Sequence, residues 1–510
     1  MNYNNKSRSI NAVLASASGF TLQIVQILAS FVYRTVFLTI LSAEYLGING
    51  LFSNVLQIFS LAELGIGTAI LYSMYKPFSE HNTEKISALV HFYKQVYHVI
   101  AVVVAICGIA FFPFVGSIVN TAEVPADVNL TVVYFLFVFQ SVSSYLFVYK
   151  QSILTADQRI HTVSFFSCGL LIACYAVRII VLALSRNYIW TLTGDICANL
   201  LINFAFSLWI TRKYRDIFKT KAKLPADEKK HIFKDTAGLL CHKIGQIVVT
   251  ATDNIILSKF VNLIAVGLYS NYTMIVSAIT SMANRIFGSL VPSIANYIIN
   301  KTKEESYLLF KRLLFANMWI SCFTTVCLYC LLNPFIQIWL GDAYLLSPVV
   351  VALICIQHYL QISRTTAMNF VNGCGLFMRD RIRPLIESGI NLAVSILLAI
   401  PWGIAGVLIG TCASGLTTYF WREPYLIYKN HFDANMKDYW LIHAGWFVLT
   451  LGLCCGGNFL LNMLDTGIWG FICRGLLVVL VSNVIIFLLT RRTDNCRYFL
   501  NYIKRKVKRH

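Results

Sequence analysis

Runs of about 20 apolar residues, separated by short polar connections, recur from one end of the chain to the other. Each is long enough, as an α-helix, to cross a hydrocarbon layer ~30 Å thick. Fourteen spans are predicted: 10–41, 46–75, 91–117, 130–151, 163–184, 188–210, 236–259, 266–297, 312–335, 346–372, 383–400, 404–428, 439–461 and 467–490. A β-barrel does not fit, because barrel strands are ~10 residues long and alternate in polarity. The first span carries Asn11, Gln23, Gln26 and Arg34 and is too long and too polar for a cleaved signal sequence.

Composition narrows the class further. Of 510 residues, 57% are hydrophobic and 13% charged, and the mean hydropathy is +0.66. A water-soluble fold could not hide that much apolar surface, so soluble enzymes and disordered chains are excluded. The expected fold class is an all-α polytopic membrane protein. Lys and Arg total 42 against 23 acidic residues, a net charge of +19. Those charges are not scattered. Thirty-four lie on one side, in the connections and tails or at the adjoining ends of spans, two (Arg186 and Lys259) on the other, and six deeper inside spans. This places both termini in the cytoplasm. The positive charge then reads as topology plus contact with anionic membrane lipid, not as nucleic-acid binding.

The segment Gly50-Leu51-Phe52-Ser53-Asn54 returns as Gly267-Leu268-Tyr269-Ser270-Asn271, an offset of 217 residues. Both copies open a span running from outside to inside, the second and the eighth. That is a parallel repeat about an axis along the membrane normal. The expected organisation is an N-lobe over 1–212 (spans 1 to 6) and a basic cytoplasmic linker over 213–235. A C-lobe over 236–430 (spans 7 to 12), accessory spans 13 and 14 over 431–490, and a basic tail over 491–510 follow. Two pseudo-symmetric six-helix lobes are a device for alternating access around a cavity.

Several stretches are similar to polysaccharide (lipid-linked oligosaccharide) flippases of the multidrug/oligosaccharidyl-lipid/polysaccharide exporter superfamily. They are Arg34 to Phe37, Glu44 to Phe52, Ala62 to Gly67, Tyr75-Lys76-Pro77, and Thr252 to Phe260 with Val266 to Tyr269. The resemblance implies a V-shaped pair of lobes in a bacterial cytoplasmic membrane. It implies that an undecaprenyl-pyrophosphate-type lipid-linked sugar moves from the inner to the outer leaflet for capsule, O-antigen or exopolysaccharide. Partners implied are the polymerase and glycosyltransferases of the same pathway. The related lipid II flippase has two extra C-terminal spans that form a groove for the lipid tail, and 439–490 stands where those would be.

A charge in hydrocarbon costs at least ~2.5–3.5 kcal/mol, so each one needs a reason. The candidate substrate-binding residues of a central cavity are Arg34, Glu63, Lys243, Asp253, Arg285 and Arg364. Four cations against two anions suit a diphosphate, since arginine makes two-point contacts with phosphate oxygens. Arg34 either binds pyrophosphate or serves a structural pair or snorkels. Asp253, near repeat register with Arg34, either binds a cation, a proton or a sugar or closes such a pair. Glu63, Lys243, Arg285 and Arg364 face the same alternative, a buried ion pair (Glu63 with Lys243, for example) or snorkelling to the interface. Arg178 and Asp195 flank the hairpin at Arg186 at one depth and are expected to form a structural ion pair. Arg474, near an outer end, is expected to snorkel outward, and Glu387 to pair with Arg383.

No cofactor and no metal site is expected. Cys327 and Cys330 form a CxxC without further ligands, which in a membrane helix reads as packing. No ATP-binding motif is present, which leaves a Na+ or H+ gradient, or consumption of the product outside, as the drive. Two other functions stay in view. A cation-coupled multidrug or small-molecule exporter of the same superfamily predicts acidic, aromatic cavities. A membrane polysaccharide polymerase predicts a large outer loop, whereas the longest outside connection here is 118–129.

Overall fold

The structure is a computed structural model that describes residues 5–63, 65–119, 124–157, 159–220, 222–461 and 467–507. All regular structure among the described residues is helical. The chain divides into two compact units, Met1–Gly267 and Leu268–His510.

The first unit opens with α1 (Asn5–Ile40), α2 (Ala43–Phe59) and α3 (Ile66–Ser79). Next come α4 (Thr83–Ile118), α5 (Leu130–Ser144), α6 (Val148–Ala156), α7 (Ile160–Ser185) and α8 (Tyr188–Lys213). The short α9 (Arg215–Lys219), α10 (Ala226–Phe260) and the head of α11 (Leu263–Gly288) close it. Helix α1 lies along α7, α7 on α8, and α5 on both α4 and α8. Helix α10, assigned by sequence to the C-lobe, packs on α2 and α3 in this unit. The seam by which α11 begins is close. A Cβ added at Gly267 would stand 2.1 Å from the Ala43 carbonyl oxygen, so no larger residue fits there.

The second unit contains the rest of α11, α12 (Val291–Asn300), α13 (Lys303–Leu340), α14 (Pro348–Ser363) and α15 (Thr365–Gly373). It continues with α16 (Arg383–Thr417), α17 (Tyr419–Ile427), α18 (Lys437–Leu461), α19 (Ile468–Thr490) and α20 (Asp494–Val507). Helix α13 is its hub and touches α14, α18 and α19, while α14 packs on α16. Its start is fixed by a capping box. The Thr302 hydroxyl accepts from the Glu305 amide, and the Glu305 carboxylate accepts from the Thr302 amide.

Ten helical segments among the described residues are long and apolar enough to cross a membrane. One of them, Met378–Phe432, has 55 residues and would be roughly 80 Å long if straight. It is interrupted at Gly403, whose backbone is not helical (φ 55°, ψ −129°). The remaining expected spans, the second, seventh and tenth, fall on helices that are broken or partly charged. Helices α2 and α3 are separated by the 3₁₀ turn Ser60–Glu63 and by Gly65 at φ 81°. Helix α10 has a charged first half, and α14 and α15 break at Arg364.

Large apolar side chains point outward from both units. Leu184 is 82% exposed, Trp190 65% and Leu397 71%. In water such a surface would aggregate, whereas against acyl chains it is the expected exterior. This is a multi-pass membrane protein.

Candidate functional site

Between lipid-covered helices there is no hydrophobic drive for association, so polar contacts and close packing carry more of the specificity. The polar groups buried in each unit therefore locate its sites.

In the first unit, Arg178 of α7 meets Asp195 of α8. The Nε lies 2.7 Å from one carboxylate oxygen, and Nη2 donates at 2.7 Å to the other. The fork-to-fork geometry fixes both side chains. Gln140 of α5 also donates to Asp195, at 3.3 Å. The guanidinium stands over the rings of Tyr175 (4.9 Å) and Tyr33 (5.6 Å). This pair forms one wall of a cavity of about 290 Å³ between α1, α2, α5, α7 and α8. Tyr33, Asn49, Ser53, Tyr188 and Thr191 complete its polar lining. Arg34 is half-buried one residue beyond Tyr33 and is not among the residues lining this cavity.

A second polar cluster sits where α2 and α3 part. Glu63 accepts a 2.5 Å hydrogen bond from the Tyr97 hydroxyl of α4. The Tyr93 hydroxyl donates to Tyr97 at 3.5 Å, and Ser152 of α6 donates to Tyr93 at 3.2 Å. A carboxylate, two phenols and a hydroxyl thus form one chain through the unit. Gly67 leaves the space for it, since a Cβ there would come within 2.2 Å of the Tyr97 oxygen and 2.8 Å of that of Tyr93. Asp253 is buried on α10. The side chain of Lys243 lies outside the described residues.

In the second unit, Arg364 forms a two-point ion pair with Glu423 of α17, through Nε at 3.1 Å and through Nη2. Its guanidinium stacks 3.8 Å over the Tyr419 ring. Arg383 bridges Asp380 (2.6 Å), Glu387 (2.6 Å) and Glu423 (3.4 Å), and Arg422 approaches Asp380 at 3.9 Å. Three arginines thus meet three carboxylates. The sequence sets four cations against two anions and leaves a buried ion pair open for Arg364; its partner here is Glu423. The acidic partner sat in plain view within an apolar span, but 59 residues away in sequence, with no periodicity to link the two.

Arg285 is exposed on α11. Deeper in the unit, His358 lies between the hydroxyls of Thr280 (3.0 Å) and Thr324 (2.9 Å). It borders a cavity of about 250 Å³ lined also by Thr273, Ser277, Asn284 and Gln361. Arg474 does not snorkel. It is 8% exposed on α19 and lines a third cavity, of about 340 Å³, with Asn333, Gln337 and Asn458. The cause is packing: residues of α13, α14 and α18 surround it.

Of the six candidate binding residues, four belong to the first unit and two to the second. Sequence reasoning missed Tyr33, Asn49, Tyr97 and Tyr188, because uncharged polar residues in spans are too common to single out.

The comparisons with known proteins agree with this architecture. Residues 16–298 match the family model described as polysaccharide biosynthesis protein. No protein of curated function matches the chain by sequence. Among solved structures, the chain is similar to a lipid II flippase, MurJ, in an inward closed conformation. The TM-score is 0.64 at 15% identity, over 94% of this chain and 100% of that one. It is also similar to a point mutant of the Vibrio cholerae MATE transporter VcmN, with a TM-score of 0.57 at 11% identity over 85% and 99%. The MATE multidrug transporter DinF-BH, solved as a complex, gives 0.56 at 14% identity over 85% and 98%. These likenesses establish a shared fold with flippases and exporters. With more than half of its length matched by the family model, the chain belongs to the polysaccharide biosynthesis protein family.

Proposed function

We propose that the protein is a flippase. It carries an isoprenoid-pyrophosphate-linked oligosaccharide from the cytoplasmic to the outer leaflet for assembly of a surface polysaccharide, and it is not an enzyme. The observation that carries this reading is the family match over residues 16–298 on a fold shared, end to end, with a lipid II flippase. The buried polar cavities within each unit support it, since a sugar crossing hydrocarbon needs hydrogen-bonding groups along its way.

In this reading the fourteen spans all cross, with both termini cytoplasmic, as the 34-to-2 division of basic residues requires. Residues 1–212 and 236–430 act as the two lobes, joined by 213–235, with 431–490 accessory. Arg34 and Arg285 are the arginines proposed to meet the pyrophosphate, with Glu63 and Asp253 the acidic groups available for ion coupling. Loss of the gene leaves the lipid-linked repeat unit stranded on the inner leaflet. Extraction and sidedness analysis of the lipid-linked pool in a deletion strain tests this; a normal outer-leaflet pool would exclude a flippase role.

The second reading is a cation-coupled exporter, favoured by the likeness to a MATE multidrug transporter. The Arg178 ion pair argues against it. It cancels the charge of Asp195, the carboxylate lining the first unit's cavity, so that cavity offers no net attraction to a cationic drug.

A further inference from the structure

We propose that the cavity between α1, α2, α5, α7 and α8 binds a single neutral sugar ring. The inference rests on the flippase reading in one respect: the ring belongs to the transported glycan.

Its volume is the first constraint. About 290 Å³ stands at the lower edge of small-molecule pockets, which run ~300–1,000 Å³. One pyranose ring fits, and a whole repeat unit does not.

Its charge is the second. Asp195 and Arg178 face each other through two contacts of 2.7 Å, so the wall is formally neutral. A metal cation held by Asp195 would lie against the guanidinium, and a phosphate held by the remaining guanidinium donors would lie against the Asp195 carboxylate. Either is a like-charge contact in a largely buried wall, which is unfavourable. A polyhydroxylated neutral ring makes neither contact. Arginine has five N–H donors, and the pair engages Nε and Nη2, so the guanidinium retains donors for a ligand.

The wall chemistry is the third. Asn49 and Gln140 offer amides, Ser53 a hydroxyl, and Asp195 an acceptor. The Tyr188 hydroxyl, in the same wall and buried, has no hydrogen-bond partner among the described residues. An orphaned buried hydroxyl is costly, and a group that both donates and accepts satisfies it. Sugar hydroxyls do both. The rings of Tyr33, Phe137 and Tyr188 supply apolar surface for the C–H faces of a pyranose. Ser53 is exposed and marks the mouth.

The test uses the full-length protein in nanodiscs with Ser53→Cys. Alkylation of the introduced thiol by N-ethylmaleimide is followed at that peptide by mass spectrometry. The probes are methyl glycosides of neutral hexoses and N-acetylhexosamines, with sodium chloride and sodium pyrophosphate as comparisons. At least one glycoside should slow alkylation saturably, and the two salts should not. Tyr188→Phe and Asn49→Ala, each added to Ser53→Cys, should weaken that protection roughly fivefold, the loss expected for one hydrogen bond. Should Tyr188→Phe misfold, Asn49→Ala alone decides. Protection by sodium or pyrophosphate in place of sugars overturns the proposal, as does equal protection in both variants. Absence of sugar protection, in a protein that restores surface polymer to the deletion strain, removes this site and leaves the flippase reading intact. Sugar protection with an unaffected lipid-linked pool in the deletion strain removes the flippase reading and leaves a sugar site.

Discussion

Single buried charges decide most of what this protein can be asked to do. Arg178 and Asp195 are held two-point across α7 and α8, so removing one partner strands the other. Asp195→Ala should destabilise the protein by about 3–5 kcal/mol, measured by thermal unfolding in detergent, whereas the double change Arg178→Leu with Asp195→Leu should cost far less. Equal losses in the single and the double variant would show that the pair is not coupled. Arg34 poses a different question, since it stands beside the cavity's Tyr33 without lining the cavity. Arg34→Ala should abolish surface polymer while the protein level in the membrane stays normal. Wild-type polymer output from that strain removes Arg34 from the mechanism. The sequence pointed to the Arg178 pair through the symmetry of a hairpin about Arg186. It held no comparable pointer from Arg364 to Glu423, which meet only because α17 folds back onto α15 and α16.

Helix breaks carry as much meaning as helices. The turn Ser60–Glu63 and the left-handed Gly65 interrupt the second expected span midway, and there Glu63 reaches Tyr97. Gly67 then passes within contact of two tyrosine hydroxyls. A side chain at 67 must push Tyr97 off Glu63, and the ring has nowhere to go in a packed bundle. Gly67→Leu should cost about 1–3 kcal/mol of stability and lower polymer output together, read by thermal unfolding and by quantitative blotting of polymer. Unchanged stability would show that the unit is looser at this point than the contacts indicate. The sequence shows the two glycines and the acidic residue but not what they meet. A kink's partner is set by which helix lies opposite, here α4, 34 residues away along the chain.

For the molecule as a whole, the arrangement of basic residues makes a sharp statement about sidedness. Pro225→Cys and Pro125→Cys should label from opposite faces of the membrane with an impermeant thiol reagent. Labelling of both from outside would overturn the expected topology and, with it, the proposed direction of transport. The compact units divide at Gly267, beyond the basic linker, because α10 packs on α2 and α3. Which helices move together during transport is a separate question from which helices touch at rest, and cross-linking α10 to α2 through paired cysteines should distinguish them. Transport that survives the cross-link fits α10 travelling with the first unit. Arrest that is relieved by reduction fits α10 moving with the C-lobe.

The amino-acid order alone determined the membrane class, the helical fold and the family. These properties follow from local hydropathy over about 20 residues and from short motifs, which any stretch of chain displays by itself. Only the tertiary structure decided which charges compensate one another, that Arg474 is enclosed and not at the lipid surface, and that Tyr33, Asn49 and Tyr188 share a cavity. Those outcomes depend on side chains far apart in sequence and brought within a few ångströms by helix packing. No local pattern encodes that distance.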